Sequence, residues 1–289
     1  MLRLSKISRI SSSVSVFRHL STSNSLSRRV LIPEIPLKRM PGKFVSAEIA
    51  EPSDFELMKA YSEKNMSHEE SLGIALGCDP KAYCEYIMVP AIKRALRFPY
   101  TVMIMDGDQI AGFALTSIEV FDKNREVPPL GLDDQGEYVD EVTKDLGIPD
   151  GPERIWTGLI QYTTDVAPHF LQKHKKYVVA HDELLSVNKD YNGNGLAKIL
   201  MAEGIKELAR DRICDYYFGN PTHHGTTIAG ARVGAPQRWK LPFQDIMIHG
   251  RSPMKPEAGN VGIGAIGVHI EPIDKLMKII EKMTKAKKL

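Results

Sequence analysis

The alternation of apolar and polar positions changes period several times along the chain, and each change marks an element. Val45, Ala47 and Ile49 alternate with Ser46 and Glu48, so Phe44–Ala50 is predicted as a half-buried strand. Ser53-Asp54-Phe55-Glu56 has the form of a capping box and predicts a short helix through Met58 and Tyr61. Asp79-Pro80 supplies an N-cap and a first-turn proline for a second helix. That helix carries Tyr83, Tyr86, Ile87 and Ala91 at helical spacing and runs to Leu96, with Pro90 bending it. Tyr100–Met105 and Gln109–Ile118 flank Asp106-Gly107-Asp108 and read as a hairpin. Thr157–Lys173 reads as a helix, and Lys176–Val187 as a strand. Gly262–Val268 reads as a closing strand whose glycines permit close backbone contact. Leu276, Ile279, Ile280 and Met283 give the Lys-rich end, 271–289, the spacing of an amphipathic helix. Pro33, Pro36 and Pro41-Gly42 mark a linker. Residues 121–153 and 236–262 read as loops, the first with at most a short helix near Tyr138–Leu146. Alternating helices and strands without a repeat indicate one α/β domain over 34–270, with 121–176 as an excursion that includes a helix.

Composition narrows the class. In 289 residues, 43% apolar and 26% charged, no run approaches the about 20 consecutive apolar residues that a membrane helix needs. Cys78, Cys84 and Cys214 form no CxxC pair and are too few for a disulfide framework. The net charge of +2 conceals an asymmetry: residues 1–33 hold Arg3, Lys6, Arg9, Arg18, Arg28 and Arg29 and no acid. With those six of the 38 basic residues set aside, 32 remain against 36 acidic ones, a mildly acidic body that argues against nucleic acid as partner. The same 33 residues contain ten serines and isolated apolar positions. They match a mitochondrial transit peptide, and Arg18-His19-Leu20-Ser21-Thr22-Ser23 is similar to a two-step matrix cleavage site. A basic tail on a cytoplasmic protein is the other reading.

The chemistry concentrates between Val187 and Leu208. A strand ends, the chain turns on Gly193 and Gly195, and a helix with Leu196, Ile199, Leu200 and Leu208 on its apolar side begins. Glycines at the head of a helix let several amides converge without Cβ interference, and those amides carry the positive end of the helix dipole. The result is a cradle for a pyrophosphate. Leu196-Ala197-Lys198 in place of Gly-Lys-Ser/Thr argues against a triphosphate loop. The lateness of Gly193-Asn194-Gly195 and the missing third glycine argue against a dinucleotide fingerprint.

Asn192-Gly193-Asn194-Gly195-Leu196-Ala197 resembles the acetyl-coenzyme A loop of the GNAT acetyltransferase superfamily, Gln/Arg-x-x-Gly-x-Gly/Ala, with Asn192 where the family has Gln or Arg. The resemblance extends with gaps over roughly residues 44–235 and is closest to the arylalkylamine N-acetyltransferase-like branch. His68-Glu69-Glu70-Ser71-Leu72 stands where that branch has Asp-Glu-Pro-Leu, and Ser186-Val187 matches the Ser-Val that ends its cofactor strand. Tyr216–Asn220, Thr222–Thr227 and Val233-Gly234-Ala235 occupy the places of the following strand, a Ser/Thr-bearing turn and the end of the next helix. The resemblance implies a mixed, mostly antiparallel central sheet flanked by helices, with acetyl-CoA as co-substrate. It implies that Leu185, Ser186 and Val187 hold the thioester, and that Asn192, Gly193, Asn194, Gly195, Leu196 and Ala197 hold the phosphates. Glu70 aligns with the catalytic glutamate, and Thr226, with Thr227 its neighbour, takes the place of the hydroxyl that protonates the departing sulfur.

An amine acceptor makes proton removal the central problem. A primary alkylamine with a pKa near about 10.4 is nucleophilic in about one molecule per thousand at neutral pH, a handicap of roughly 4 kcal/mol. Trp156, Tyr162, Phe170, Phe218 and Trp239 are candidates to line an aromatic-amine site, although residues of this kind are more often plain core. His181, His223 and His224 are candidate proton relays, and His174 lies in a Lys-rich turn. Adjacent His223 and His224 lack ligand geometry and a nearby acid, so no metal is expected. Three functions remain: direct transfer of acetyl from acetyl-CoA to a small, possibly aromatic, primary amine in a ternary complex; acyl-CoA binding without catalysis; and acetylation of protein lysines.

Overall fold

The computed structural model describes residues 28–122, 126–171, 176–255 and 262–270. Most of the transit-peptide segment, His174 and the C-terminal helix expected over 271–289 lie outside the described residues. The strands are β1 (Val30–Pro36), β2 (Phe44–Ile49), β3 (Val102–Asp106), β4 (Gln109–Asp122), β5 (Lys176–Val187), β6 (Tyr216–Gly219), β7 (Gln237–Pro242) and β8 (Gly262–His269). They form one sheet in the order β1-β2-β3-β4-β5-β6-β8-β7, antiparallel at every neighbour except β5 and β6. This is the mixed, mostly antiparallel sheet that the resemblance implied.

Strand periodicity divides the core. Met103 and Met105 of β3, with Phe113 and Leu115 of β4, face the helices between β2 and β3. Val102 and Ile104, with Ala114, face the opposite side and pack on Leu196 and Leu200. The first layer contains α1 (Phe55–Tyr61), α2 (Ser67–Glu69), α3 (Ser71–Leu76), α4 (Pro80–Tyr83) and α5 (Val89–Ala95). π-helical turns at Ser62–Met66 and Cys84–Met88 link its members. The second π turn directly precedes Pro90, whose ring and missing N–H would break a regular α-helix. Asp79 caps α4 as expected, accepting from the Lys81 and Ala82 amides. The cap before α1 differs from Ser53-x-x-Glu56: Asp54 accepts the Glu51 amide and is held by the Arg28 guanidinium.

Three further expectations shift. The sheet begins inside the supposed linker, because β1 pairs with β2 from Val30 onward. The excursion holds two helices, α6 (Gly136–Thr143) and α7 (Pro152–Asp165). The second therefore starts before Thr157 and ends before Lys173, with Pro152 at its first position. Residues 236–262, read as a loop, supply β7 at the far edge. The crossover from β5 to β6 is α8 (Leu196–Asp211), and α9 (His224–Arg232) follows β6.

Candidate functional site

The site exists because two parallel strands part. β5 and β6 pair only from Val179 with Tyr216 to Asp182 with Gly219. β5 then continues to Val187 beside β4 alone, while the chain leaves β6 through Asn220-Pro221. A bulge at Glu183 puts Leu184 opposite Leu115 and Asp182 opposite Thr116, and bulges of this kind bend a strand. The edge of β5 from Leu184 to Val187 thus faces a wedge instead of a neighbour, leaving alternate amides and carbonyls for a bound molecule. The wedge opens into a cleft of about 890 Å³.

One wall is the glycine loop. Gly193 and Gly195 have φ of +80° and +81°, in the region a side chain disfavours, and Gly195 is the N-cap of the 16-residue α8. The loop is anchored at both ends. The Tyr191 hydroxyl donates to Asp106 at the end of β3, and Lys43 pairs with the same carboxylate. Asn194 is buried; its Oδ1 accepts the Arg39 amide at 2.8 Å and its Nδ2 donates to the Tyr191 carbonyl at 2.9 Å. All six residues from Asn192 to Ala197 line the cleft, as do Leu185, Ser186 and Val187. Ser186 Oγ lies 3.1 Å from the Tyr61 hydroxyl, whose pKa burial pushes up to about 12, so that phenol stays neutral.

The opposite wall holds Glu70. It is buried, unlike an ordinary glutamate on a surface helix, and sits at the N-cap of α3. Its carboxylate accepts four hydrogen bonds: the amides of Leu72 and Gly73, Trp156 Nε1–H at 2.8 Å, and the Thr222 hydroxyl. Thr226, in the first turn of α9, lines the same cleft, as do Thr222 and His223. His223 is the N-cap of α9, its Nδ1 accepting the Gly225 amide at 3.0 Å. The cleft therefore brings together every residue expected in the cofactor loop and both expected catalytic residues.

The other candidates separate. Of the five aromatics, Trp156 lines the cleft and the remaining four do not. Tyr162 and Phe170 pack on Trp239 with ring centres 6.1 and 6.2 Å apart, and Phe218 is core between the sheet and Ala167 and Leu171, in the segment after α7. Apolar contact near Glu70 comes instead from Met66, Ile74 and Ile160. His181 is buried off the cleft, with Nδ1 3.4 Å from Glu119 and Nε2 3.0 Å from Asn220 Oδ1. Burial opposes its charged form, yet Glu119 and Asn220 outweigh that, so its pKa lies above the usual histidine value.

Sequence reasoning passed over Asp182, Asn220 and Lys38. Asp182 forms the floor where β5 and β6 part; one oxygen accepts the Tyr217 hydroxyl and the other has no partner among the described residues. Burial raises its carboxyl to about 6, against the pull of the Tyr217 hydroxyl and of His181. The cleft is also bipolar. Lys38, Lys189 and Lys198 lie at the glycine loop and Arg232, at the end of α9, lines the cleft as well, whereas Glu69, Glu70, Asp182 and Glu183 lie at the α2–α3 junction and on the β5 floor.

Neither a family profile nor a curated protein sequence matches the chain. Solved structures do. A putative arylalkylamine N-acetyltransferase 7 from the yellow fever mosquito Aedes aegypti superposes with a TM-score of 0.61 at 14% identity, over 86% of this chain and 100% of its own. Arylalkylamine N-acetyltransferase 2 from the same mosquito gives 0.60 at 16% identity, over 78% and 99%. A Drosophila melanogaster polyamine N-acetyltransferase that forms N-acetylagmatine gives 0.58 at 15%, over 78% and 99%. At such identities the likeness is one of architecture: the chain has the fold of the GNAT acetyltransferases, in the form taken by the arylalkylamine N-acetyltransferases.

Proposed function

We propose that the protein is an acetyl-CoA-dependent N-acetyltransferase of small primary amines, transferring acetyl directly within a ternary complex. One observation carries the reading: the parted β5–β6 edge, a glycine-headed helix and a buried carboxylate share a single bipolar cleft. The amides at Gly193–Ala197 suit the cofactor diphosphate, and the free edge of β5 at Leu185–Val187 suits the extended arm and the thioester. The acidic end suits a cationic acceptor.

Two protons must leave the nitrogen. The first neutralises the ammonium and goes to Glu70, which the cap of α3 and Trp156 hold in place. The amine then attacks the thioester carbonyl, whose developing oxyanion takes its hydrogen bonds from the β5 edge. As the C–S bond breaks, the second proton reaches the sulfur by way of the Thr226 hydroxyl. Met66, Ile74 and Ile160, with Trp156 as the sole aromatic residue of that wall among the described residues, favour a slim aliphatic chain beside the amine over a large ring.

Saturation of both Glu70 oxygens by four donors favours a second reading, acyl-CoA binding without turnover. The two are separated by thermal unfolding with acetyl-CoA, followed by product analysis over a panel of aliphatic and aromatic amines and lysine peptides. Stabilisation with amide product on a small amine supports transfer. Stabilisation without product on any acceptor supports the second reading. No stabilisation at saturating acetyl-CoA refutes both.

A further inference from the structure

Asn192 brings no charge to the glycine loop, where the pattern it resembles has Gln or Arg, yet a dianionic diphosphate still needs charge. The structure brings cations to the loop from a distant part of the chain. The turn between β1 and β2, residues 37–43, is closed by its own backbone bonds, Leu37 N–H to Lys43 O and Met40 N–H to Leu37 O. It is bonded to the glycine loop through the Arg39 amide and buried Asn194, across 155 positions of sequence. The Arg39 guanidinium lies directly on Gly193: a Cβ there would fall 2.4 Å from its Nε and Cζ. So placed, the turn presents Lys38 to the cleft that Asn192, Gly193 and Gly195 also line. Lys38 and Arg39 are exposed and, among the described residues, neither is paired with a carboxylate. In contrast, Lys43 at the end of the same turn is committed to Asp106.

We propose that Lys38 is a ligand of the cofactor diphosphate, supplying a positive charge that Asn192 does not, and that Arg39 is a positioning residue that seats the turn on Gly193. An ammonium on a flexible stem suits the role, since it follows a phosphate as a point charge without a fixed fork. The inference rests on the acetyl-CoA reading above. Position 193 favours glycine through its φ of +80°, and with no side chain there the guanidinium rests directly on the backbone.

The test is the dissociation constant of CoA, dephospho-CoA and pantetheine for the full chain and for Lys38→Ala, Lys38→Arg, Arg39→Ala and the Lys38→Ala/Arg39→Ala double variant. Lys38→Ala is expected to weaken CoA and dephospho-CoA alike by about tenfold, to leave pantetheine unchanged, and to flatten the salt dependence of CoA binding. Lys38→Arg is expected to restore most of the loss. Arg39→Ala is expected to weaken CoA less than Lys38→Ala and to add nothing in the double variant, because it acts through Lys38. Unfolding of each unliganded variant should match that of the parent, since both side chains are exposed. Unchanged CoA affinity in Lys38→Ala overturns the proposal, and so does a loss confined to CoA and absent for dephospho-CoA, which would assign Lys38 to the 3′-phosphate. A parent protein that binds neither cofactor is a different failure, that of the acetyl-CoA reading itself.

Discussion

Asp182 gives the sharpest stability prediction. Its carboxyl is buried where β5 and β6 part, and its pKa stands at about 6 in the fold against 3.8 in an ordinary environment. At about 1.36 kcal/mol per pH unit, ionising it inside the fold costs about 3 kcal/mol at neutral pH. The sign follows from proton binding. Between about 4 and 6 the folded chain holds a proton that the unfolded chain has released, so stability falls as pH rises through that window and stays lowered above it. Asp182→Asn cannot ionise and keeps an acceptor for the Tyr217 hydroxyl. Its Nδ2 would be unpartnered, which returns about 1 kcal/mol. The expected net gain at pH 7.5 is about 1–2 kcal/mol, or a rise in Tm of roughly 2–6 °C for a chain of this size. Differential scanning calorimetry at pH 4.5 and 7.5 checks it, with the gain shrinking toward zero at the lower pH. A gain of equal size at both values, or a variant less stable at pH 7.5, would refute the reasoning. An ionisable group kept at a stability cost on the floor of a cleft is a functional-site signal, so the same variant should bind acetyl-CoA or turn over an amine less well.

Glu70→Gln should lower kcat/KM for an amine by roughly 10²–10⁴-fold while the dissociation constant of acetyl-CoA stays unchanged, as isothermal titration would read; a loss under about threefold removes Glu70 as the base. Gly195→Asp puts a Cβ on a residue with φ of +81° and an anion in the phosphate cradle. The strain costs roughly 1–2 kcal/mol, and stabilisation of the protein by CoA should vanish, so a normal thermal shift would take the loop out of the cofactor site. Asn194→Ala leaves the Arg39 amide and the Tyr191 carbonyl without their partner, which should cost about 2 kcal/mol in chemical denaturation; no change would show that water replaces the amide.

What the sequence disclosed, and what it concealed, follows from how local each signal is. β5 from Lys176 to Val187 and the start of α8 at Leu196 are legible because an apolar run followed by two glycines is a local pattern. β1 and β7 are not, since Pro33, Pro36 and Pro242 read as breaks. At the two edges of the sheet a missing N–H costs no ladder bond, and strands there tolerate proline. The early start of α7 was written in Gly151-Pro152, a first-turn proline passed over inside a polar stretch. The aromatic site failed for a different reason. Tyr162, Phe170 and Trp239 come from α7, the segment after it and β7, and only the tertiary arrangement decides that they meet each other and not a ligand. Lys38 is the extreme case, because a bond spanning 155 positions leaves no trace in local pattern.

The surroundings of Glu70 bear on both functional readings at once. A carboxylate offers about four lone-pair positions, and here four donors occupy them. Two are backbone amides fixed by α3, and the third is an indole carried by α7 and held edge-on against Tyr83. Only the Thr222 hydroxyl can leave by rotation about a single bond, and it does so from the loop that follows the parting of β5 and β6. Three rigid donors therefore hold the carboxylate in one orientation, and the mobile fourth lies on the cleft side, where Thr222 itself is part of the lining. The fourth bond, from the cleft wall 152 positions away, adds stability and also leaves one lone pair of the carboxylate accessible from the cleft once Thr222 rotates. Preorganised on three sides and releasable on the fourth is the state a base needs before its substrate arrives.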